Sequence, residues 1–201
     1  MSTDVAIIGT GNVGAALART FARHGRPAVI ANTRGPDSFR DLAQEVEPWV
    51  RATTLDDALE ADVLVLAIPF LATETLGALK PSWRGHIVVD ATNAFLVPDS
   101  EAILGGRLST EVVAGFFPDA SVVKAFNQLP ANVLERQLPL EHGKKVVFVA
   151  SNDAPASAAI ARVAADIGFA PVELGRINEG GRLIQARNAL VLRLFVEQPM
   201  F

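Results

Sequence analysis

Cysteine and tyrosine are both absent from the 201-residue chain. Without cysteine there are no disulfides, no thiolate metal sites and no cysteine nucleophile. Without tyrosine, the tyrosine–lysine pair of short-chain-type alcohol oxidation is excluded. The three histidines, His24, His86 and His142, lie far apart and match no metal-ligand spacing, so no metal site is expected. Basic runs are also lacking, and the net charge is −4, which argues against a nucleic-acid footprint. No apolar run approaches the length of a membrane span. The opening "MSTDVAIIGTG" carries neither a basic leader nor a small-residue cleavage site. The expectation is a cytoplasmic protein with neither membrane nor nucleic-acid partners.

What is present points to a packed α/β protein. Half the residues are hydrophobic and a fifth are charged, enough apolar material for a buried core. Short apolar runs alternate with helical patterns. "VAIIG" (Val5 to Gly9), "AVIAN" (Ala28 to Asn32), Val50 to Thr53, "DVLVLAIP" (Asp62 to Pro69), "HIVVDATN" (His86 to Asn93), "SVVKAFN" (Ser121 to Asn127), "KVVFVAS" (Lys145 to Ser151) and "APVELG" read as strands. Helices are expected over Asn12 to His24, Ser38 to Val46, Leu55 to Glu60, Phe70 to Leu79, Ala154 to Ile167 and Gly181 to Phe195, while Phe95 to Pro118 reads as irregular. The alternation predicts a Rossmann-type, doubly wound α/β fold with a mainly parallel sheet. A weak boundary falls near Glu141 to Lys144. We expect one domain over residues 1–201, with 141–201 as a small C-terminal α/β extension of the same sheet.

The chemistry begins at "GTGNVG", with glycines at 9, 11 and 14. The G-x-G-x-x-G spacing is weak alone, but here it follows a strand and opens a helix. Gly9 would make the tight turn, Gly11 would admit a pyrophosphate, and Gly14 would let helix and strand pack closely. The helix N-terminus supplies N–H groups and partial positive charge. About 20 residues on, an NAD-type site places an acid for the ribose hydroxyls. This chain has "IANTRG" there, with Asn32, Thr33 and Arg34. Asn32 does not repel an extra phosphate, Thr33 offers a hydroxyl and Arg34 a charged fork, so NADP(H) is expected over NAD(H). The alternative is a solvated loop arginine.

Ligands of such sheets lie beyond the carboxyl ends of the strands. That rule selects Ile68, Pro69 and Phe70, then Ala91, Thr92 and Asn93, then Lys124, Ala125, Phe126 and Asn127. Pro69 also reads as a strand terminator, Thr92 and Asn93 as turn formers, and Lys124 as a surface charge or a cleft residue. No acid–base residue stands in a suggestive context, so no catalytic side chain is assigned. Hydride transfer between two rings held face to face asks less of the protein than carbonyl reduction does.

The segments "IIGTGNVGAALARTFARHG", "IANTRGPDSF", "VLVLAIPF", "IVVDATN", "VVKAFNQLPANVL", "VVFVASNDAPA" and "LGRINEGGRLIQ" together resemble the F420-dependent NADP oxidoreductase family. That family shares its dinucleotide domain with the STEAP metalloreductases. The resemblance implies NADP(H) binding through Thr10, Gly11, Asn12, Val13, Asn32, Thr33 and Arg34. It places the nicotinamide near Ile68–Pro69, Ala91–Asn93 and the backbone at Ala125, and a deazaflavin over Phe126 to Pro130. The chain departs from the archaeal enzymes in having Asn127 and Gln128 where they have a histidine–threonine pair, and in a shorter tail.

Three readings follow. One is hydride transfer between NADPH and coenzyme F420 or a flavin such as FMN or FAD, with a small-molecule electron acceptor as partner. Another is an NADPH-dependent reductase of a small carbonyl or imine. The last is a non-catalytic NADPH-binding module. Gly181 to Phe195 and the tail "VEQPMF" carry large apolar residues, which a homodimer through that helix or packing on the chain's own sheet would cover.

Overall fold

A computed structural model describes residues 4–95, 97–98, 100–139 and 143–198. His142 and the end of the tail lie outside the described residues, as does the first half of the boundary expected near Glu141 to Lys144. The first half alternates strand and helix: β1 (Val5–Ile8), α1 (Asn12–Arg23), β2 (Ala28–Ala31), a 3-10 turn (Pro36–Phe39) running into α2 (Arg40–Val46), β3 (Val50–Ala52), α3 (Leu55–Ala58), β4 (Val63–Leu66), α4 (Ala72–Gly77) and β5 (Ile87–Asp90). Then come α5 (Ser100–Leu104), α6 (Ser109–Phe116), β6 (Ser121–Lys124), α7 (Ala131–Glu135), β7 (Lys144–Ser151), α8 (Ala154–Asp166), β8 (Ala170–Glu173), a 3-10 segment (Gly180–Ile184) and β9 (Val196–Glu197).

The strands form one sheet in the order β3-β2-β1-β4-β5-β6-β7-β8, with β9 beside β7. β1 to β6 are parallel, whereas β7 runs antiparallel to β6 and pairs parallel with β8. This is the mainly parallel, doubly wound sheet that the alternation predicted. The short apolar runs form its centre because side chains on both faces are covered: every residue of β1 and β4 is buried. Alternate residues serve opposite cores. Val5, Ile7, Val65 and Val123 pack with Leu17, Phe21 and Ile160 on one face. Ala6, Ile8, Leu64 and Leu66 pack with Trp83, Val112 and Phe117 on the other. β1 lies between β2 and β4, so the winding reverses there and a crevice opens beyond the carboxyl ends of these strands.

Three expectations need correction. The stretch read as irregular contains α5 and α6, and α7 follows "NQLP" where no helix was expected. The helix expected over Gly181 to Phe195 is not formed. Its start is a 3-10 turn, Arg187 and Leu192 have φ of 66° and 60°, and the chain ends in the short strand β9. Tertiary contacts override local propensity there: the Gln185 side chain is buried in hydrogen bonds, Leu192 donates its N–H to the Gln128 carbonyl, and β9 pairs with β7. No helix therefore exists to carry the dimer contact in the form expected.

Candidate functional site

The glycine loop connects β1 to α1, and its three glycines differ in their surroundings. Gly9 has φ 114°, and a Cβ placed on it would collide with the Ala67 carbonyl. A Cβ on Gly14 would collide with the Gly9 carbonyl. Both glycines are required by the fold. A Cβ on Gly11 would meet nothing within 4 Å, so that glycine keeps open the space where a ligand's phosphate can approach backbone.

The helix ends carry the same distinction. α8 is capped by the Asp153 side chain and α3 by Thr54. α1 begins at Gly11 with no side-chain cap and no acid in its first turn. Its leading amides and the positive end of its dipole face a cleft of about 530 Å3, lined by Thr10, Gly11, Asn12 and Ala15 on one side and Pro130, Ala131 and Asn132 on the other. Arg19 also reaches the cleft, but it is committed to acids. It bonds Glu45 at 2.7 and 2.9 Å and Glu135 at 3.2 Å, tying α2 and α7 to α1. The Arg19 guanidinium holds the Glu45 carboxyl below its usual range.

Beyond β2, Asn32 works as a brace. Its Nδ2 donates to Thr10 Oγ1 at 2.8 Å and to Ser38 Oγ at 2.9 Å. Its Oδ1 accepts the Arg34 N–H at 2.8 Å. Both amide hydrogens are thus spent, and Asn32 fixes the loop over residues 33–38 to the glycine loop. Thr10 Oγ1 accepts from Asn32, which leaves its own hydrogen for a ligand. The Arg34 side chain is exposed, and its guanidinium has no hydrogen bond or ion pair among the described residues. By contrast, neighbouring Arg40 is bound to Asp37 at 2.8 Å. Ser38, which donates to the Gly35 carbonyl and accepts from Asn32, was missed from sequence. The "NTRGPDS" spacing, with a serine six residues past the asparagine, was its only signal.

The other strand ends meet beside this loop. Ile68 is half-buried and Pro69 exposed, Ala91, Thr92 and Ala125 are buried, and Asn93 is half-buried. Thr92 does not offer its hydroxyl to the cleft: its N–H and Oγ1 both donate to Asp90 Oδ1, at 2.9 and 2.7 Å. Asp90 Oδ2 accepts from Lys124 Nζ at 3.1 Å and from Thr110 Oγ1 at 2.8 Å. Lys124 is neither a surface charge nor a cleft residue. It is fully buried, bonded to Asp90 and the Thr92 carbonyl, and burial pulls its pKa down while Asp90 opposes that shift. Asn93 and Asn127 bond reciprocally: Asn93 Nδ2 donates to the Asn127 carbonyl at 2.7 Å and Asn127 Nδ2 to Asn93 Oδ1 at 3.0 Å. Gln128 is taken up by β7, donating to the Val146 carbonyl and accepting from the Phe148 N–H. Phe126, just before Asn127, is buried at φ 60°, an unfavourable backbone for a bulky residue at the edge of the site.

His24 and His86 each hydrogen-bond a backbone carbonyl, Thr20 and Ala61 respectively. No group of three His, Cys, Asp or Glu residues among the described residues is placed to hold a metal. No helix among them is long and apolar enough to cross a membrane. The arrangement therefore offers free backbone N–H groups at a helix end, an arginine without a partner among the described residues, and a wall of neutral polar groups.

A glycine cradle, an uncapped helix and an acid-free strand end are features that suit a phosphorylated dinucleotide, and the chain is also similar to known NADP-dependent proteins. Residues 4–94 match the family described as NADP oxidoreductase, coenzyme F420-dependent. Over that segment, 91 of the 201 residues, the chain is similar to this family. The F420-dependent NADP reductase of Methanothermobacter thermautotrophicus is 29% identical, with 96% of this chain and 90% of that protein covered. Mouse metalloreductase STEAP2 is 29% identical over 95% of this chain, but only 36% of the metalloreductase is covered. The chain thus spans about a third of the length of the metalloreductases it matches. The crystal structure of a hypothetical protein from Sinorhizobium meliloti is 41% identical, covers 97% of this chain and 96% of its own, and superposes with a TM-score of 0.91.

Proposed function

We propose that the chain is an NADP(H)-dependent oxidoreductase that moves hydride between NADPH and a deazaflavin such as coenzyme F420, or a flavin. The observation that carries this reading is the pairing of the open Gly11 cradle and uncapped α1 with an Arg34 that has no partner among the described residues, at an acid-free strand end. The backbone of α1 and Thr10 would hold the pyrophosphate. Arg34 would take the 2′-phosphate, on a loop that Asn32 and Ser38 hold in place. NADPH held there would supply a hydride from its dihydronicotinamide ring to the acceptor, with the accompanying proton drawn from water.

The residues at the ends of β4, β5 and β6 would position the ring and exclude water. Their charged members, Asp90 and Lys124, are buried against each other and offer no proton to the cleft. That suits a ring-to-ring transfer, which needs little acid–base help, better than reduction of a carbonyl. The test is NADPH oxidation by the purified protein with coenzyme F420, FMN and FAD as separate acceptors. Turnover with the deazaflavin alone supports coenzyme F420 as the partner, and turnover with FMN or FAD alone supports a flavin reductase. NADPH binding without turnover of any of the three would sink the proposal and leave a binding module. We also propose that the exposed Leu192 and Leu194 of the C-terminal segment meet a second copy of the chain; a monomeric mass in light scattering would remove that idea.

A further inference from the structure

We propose that the chain carries a second small-molecule site, built from β7, α8 and β8 at the edge of the sheet opposite the glycine loop, and that its ligand is a small zwitterion of the α-amino-acid type. The inference does not depend on the oxidoreductase reading, because none of the residues that line this site lines the cleft at α1.

The position follows from the topology. β7 runs antiparallel to β6, so its last residue, Ser151, lies beside Val123 and gives its hydroxyl hydrogen to the Val122 carbonyl. β7 and β8 are parallel to each other, with Val149 beside Glu173, and α8 joins them. The three elements form a βαβ unit that is inverted relative to β1 to β6. Ligands of such units lie beyond the carboxyl ends of the strands. For this unit those ends fall at the edge where β6 begins. A cavity of about 440 Å3 lies there, a size usual for small-molecule sites.

The charged groups of the cavity are Glu173 and Arg176. Both are exposed, and neither side chain makes an ion pair or hydrogen bond among the described residues. Asp37 and Arg40 have the same spacing and opposite charges, and they pair at 2.8 Å. Two opposite charges that share a cavity without meeting suit a ligand that carries both signs. Asn152 adds a donor. Its Oδ1 accepts the Ile177 N–H at 3.2 Å, which leaves Nδ2 free to donate.

Ser157 is an independent sign of a ligand. It lines the same cavity and is only 4% exposed, and its Oγ is buried with no partner among the described residues. A hydroxyl in a helix can turn back to the carbonyl four residues earlier, as Thr20 does to Ala16 at 2.7 Å. Ser157 does not, although the Asp153 carbonyl stands at that spacing and accepts its N–H. The start of α8 is already capped by the Asp153 side chain, so the site is made by side chains and not by the helix end. The ligand's carboxylate would lie on the Arg176 fork and Asn152 Nδ2, with the Ser157 hydroxyl below, and its ammonium on Glu173. A plain anion would leave Glu173 unanswered beside it, and a plain cation would leave Arg176 so.

The experiment titrates the full chain with each of the common amino acids, and with succinate and inorganic phosphate as anions that carry no positive group. Calorimetry and melting temperature report binding. At least one amino acid should bind with a Kd of about 1 mM or tighter and raise the melting temperature. Arg176→Met and Glu173→Gln should each weaken it about tenfold and leave the NADPH Kd unchanged. Ser157→Ala should weaken it as well, while the ligand-free variant melts at or above wild type, because an unpartnered buried hydroxyl has been removed. A purely structural serine would not move the titration. Failure of every amino acid to bind overturns the inference, as does binding of succinate or phosphate alone. An amino acid held equally well by all three variants sits elsewhere and overturns it too.

Discussion

Single residues divide the site into parts that face a ligand and parts that hold those parts. Arg34 is the clearest candidate of the first kind, because its guanidinium is exposed and has no partner among the described residues while Arg19 and Arg40 nearby are both committed to acids. A charge-assisted bond to phosphate contributes roughly 1.5–3 kcal/mol. Arg34→Ala should therefore weaken NADPH by about 10- to 100-fold and NADH hardly at all. Fluorescence titrations with both nucleotides check this, and equal losses would sink the assignment. Lys124 belongs to the second kind. Lys124→Met would leave Asp90 charged, buried and without its cation, a change that costs about 3–5 kcal/mol. Chemical denaturation should record that loss, and adding Asp90→Leu should recover a large part of it. No recovery in the double variant would mean that the pair matters for something other than its charge. The exposed position of Arg34 was legible from sequence because it lies in a polar loop past an acid-free strand end. Lys124 was not, since a lysine at a strand end reads alike whether its partner is solvent or a buried aspartate 34 residues away.

At the level of elements, the sheet was legible and the C-terminal segment was not. Short apolar runs such as "VLVL", too short for a helix and bounded by turn residues, read as strands buried on both faces, so β1, β2, β4, β5 and β6 appear close to where the sequence placed them. Leu183, Ile184, Leu190, Val191 and Leu194 mimic a helical stripe, but Gln185 and Asn127 bind the segment side chain by side chain and prevent it from winding. α5, α6 and α7 are short and sit among Gly and Pro, which hides their periodicity. The strand-to-helix turn of the glycine loop yields a paired prediction. Gly9→Ala forces a side chain into φ 114° and against the Ala67 carbonyl, and should lower stability by about 2 kcal/mol or more. Gly11→Ala meets no protein atom and should stay within about 0.5 kcal/mol of wild type. The same Gly11→Ala protein should nevertheless bind NADPH poorly, because its methyl group stands where the phosphates approach. Melting curves and nucleotide titrations of the two variants separate fold from function. A Gly11→Ala protein with full NADPH affinity would show that the cradle is not the phosphate site.

Across the whole molecule, the first six strands must be joined to β7, α8 and β8, and Lys145 makes one of those joints. It lies at the start of β7 and donates from Nζ to the carbonyls of Val133, Leu134 and Arg136, acceptors that the end of α7 leaves without an intrahelical donor. α7 in turn packs along α1, the helix whose first turn lines the cleft. The groups around the ammonium are Arg23 from α1, Arg136 and Glu135 from the end of α7, and the ring of Phe169 ahead of β8. Burial, then the positive charges of Arg23 and Arg136, lower the Lys145 pKa to about 8, with Glu135 opposing them. In the unfolded chain the same group titrates near ~10.4. Between those two values the unfolded chain binds the extra proton, so this lysine makes stability rise with pH from about 8 to about 10.4. The sign is opposite to that of a lysine whose folded pKa is raised by a carboxylate. The absence of cysteine and tyrosine leaves few other side chains to titrate in this window. Urea unfolding at several pH values across it, on wild type and Lys145→Gln, isolates the contribution. The advantage of wild type over the variant should grow as the pH rises. A difference that stays flat would mean that the three carbonyls hold the proton in the folded state, and that the joint between the two parts of the sheet is an ammonium at every pH tested.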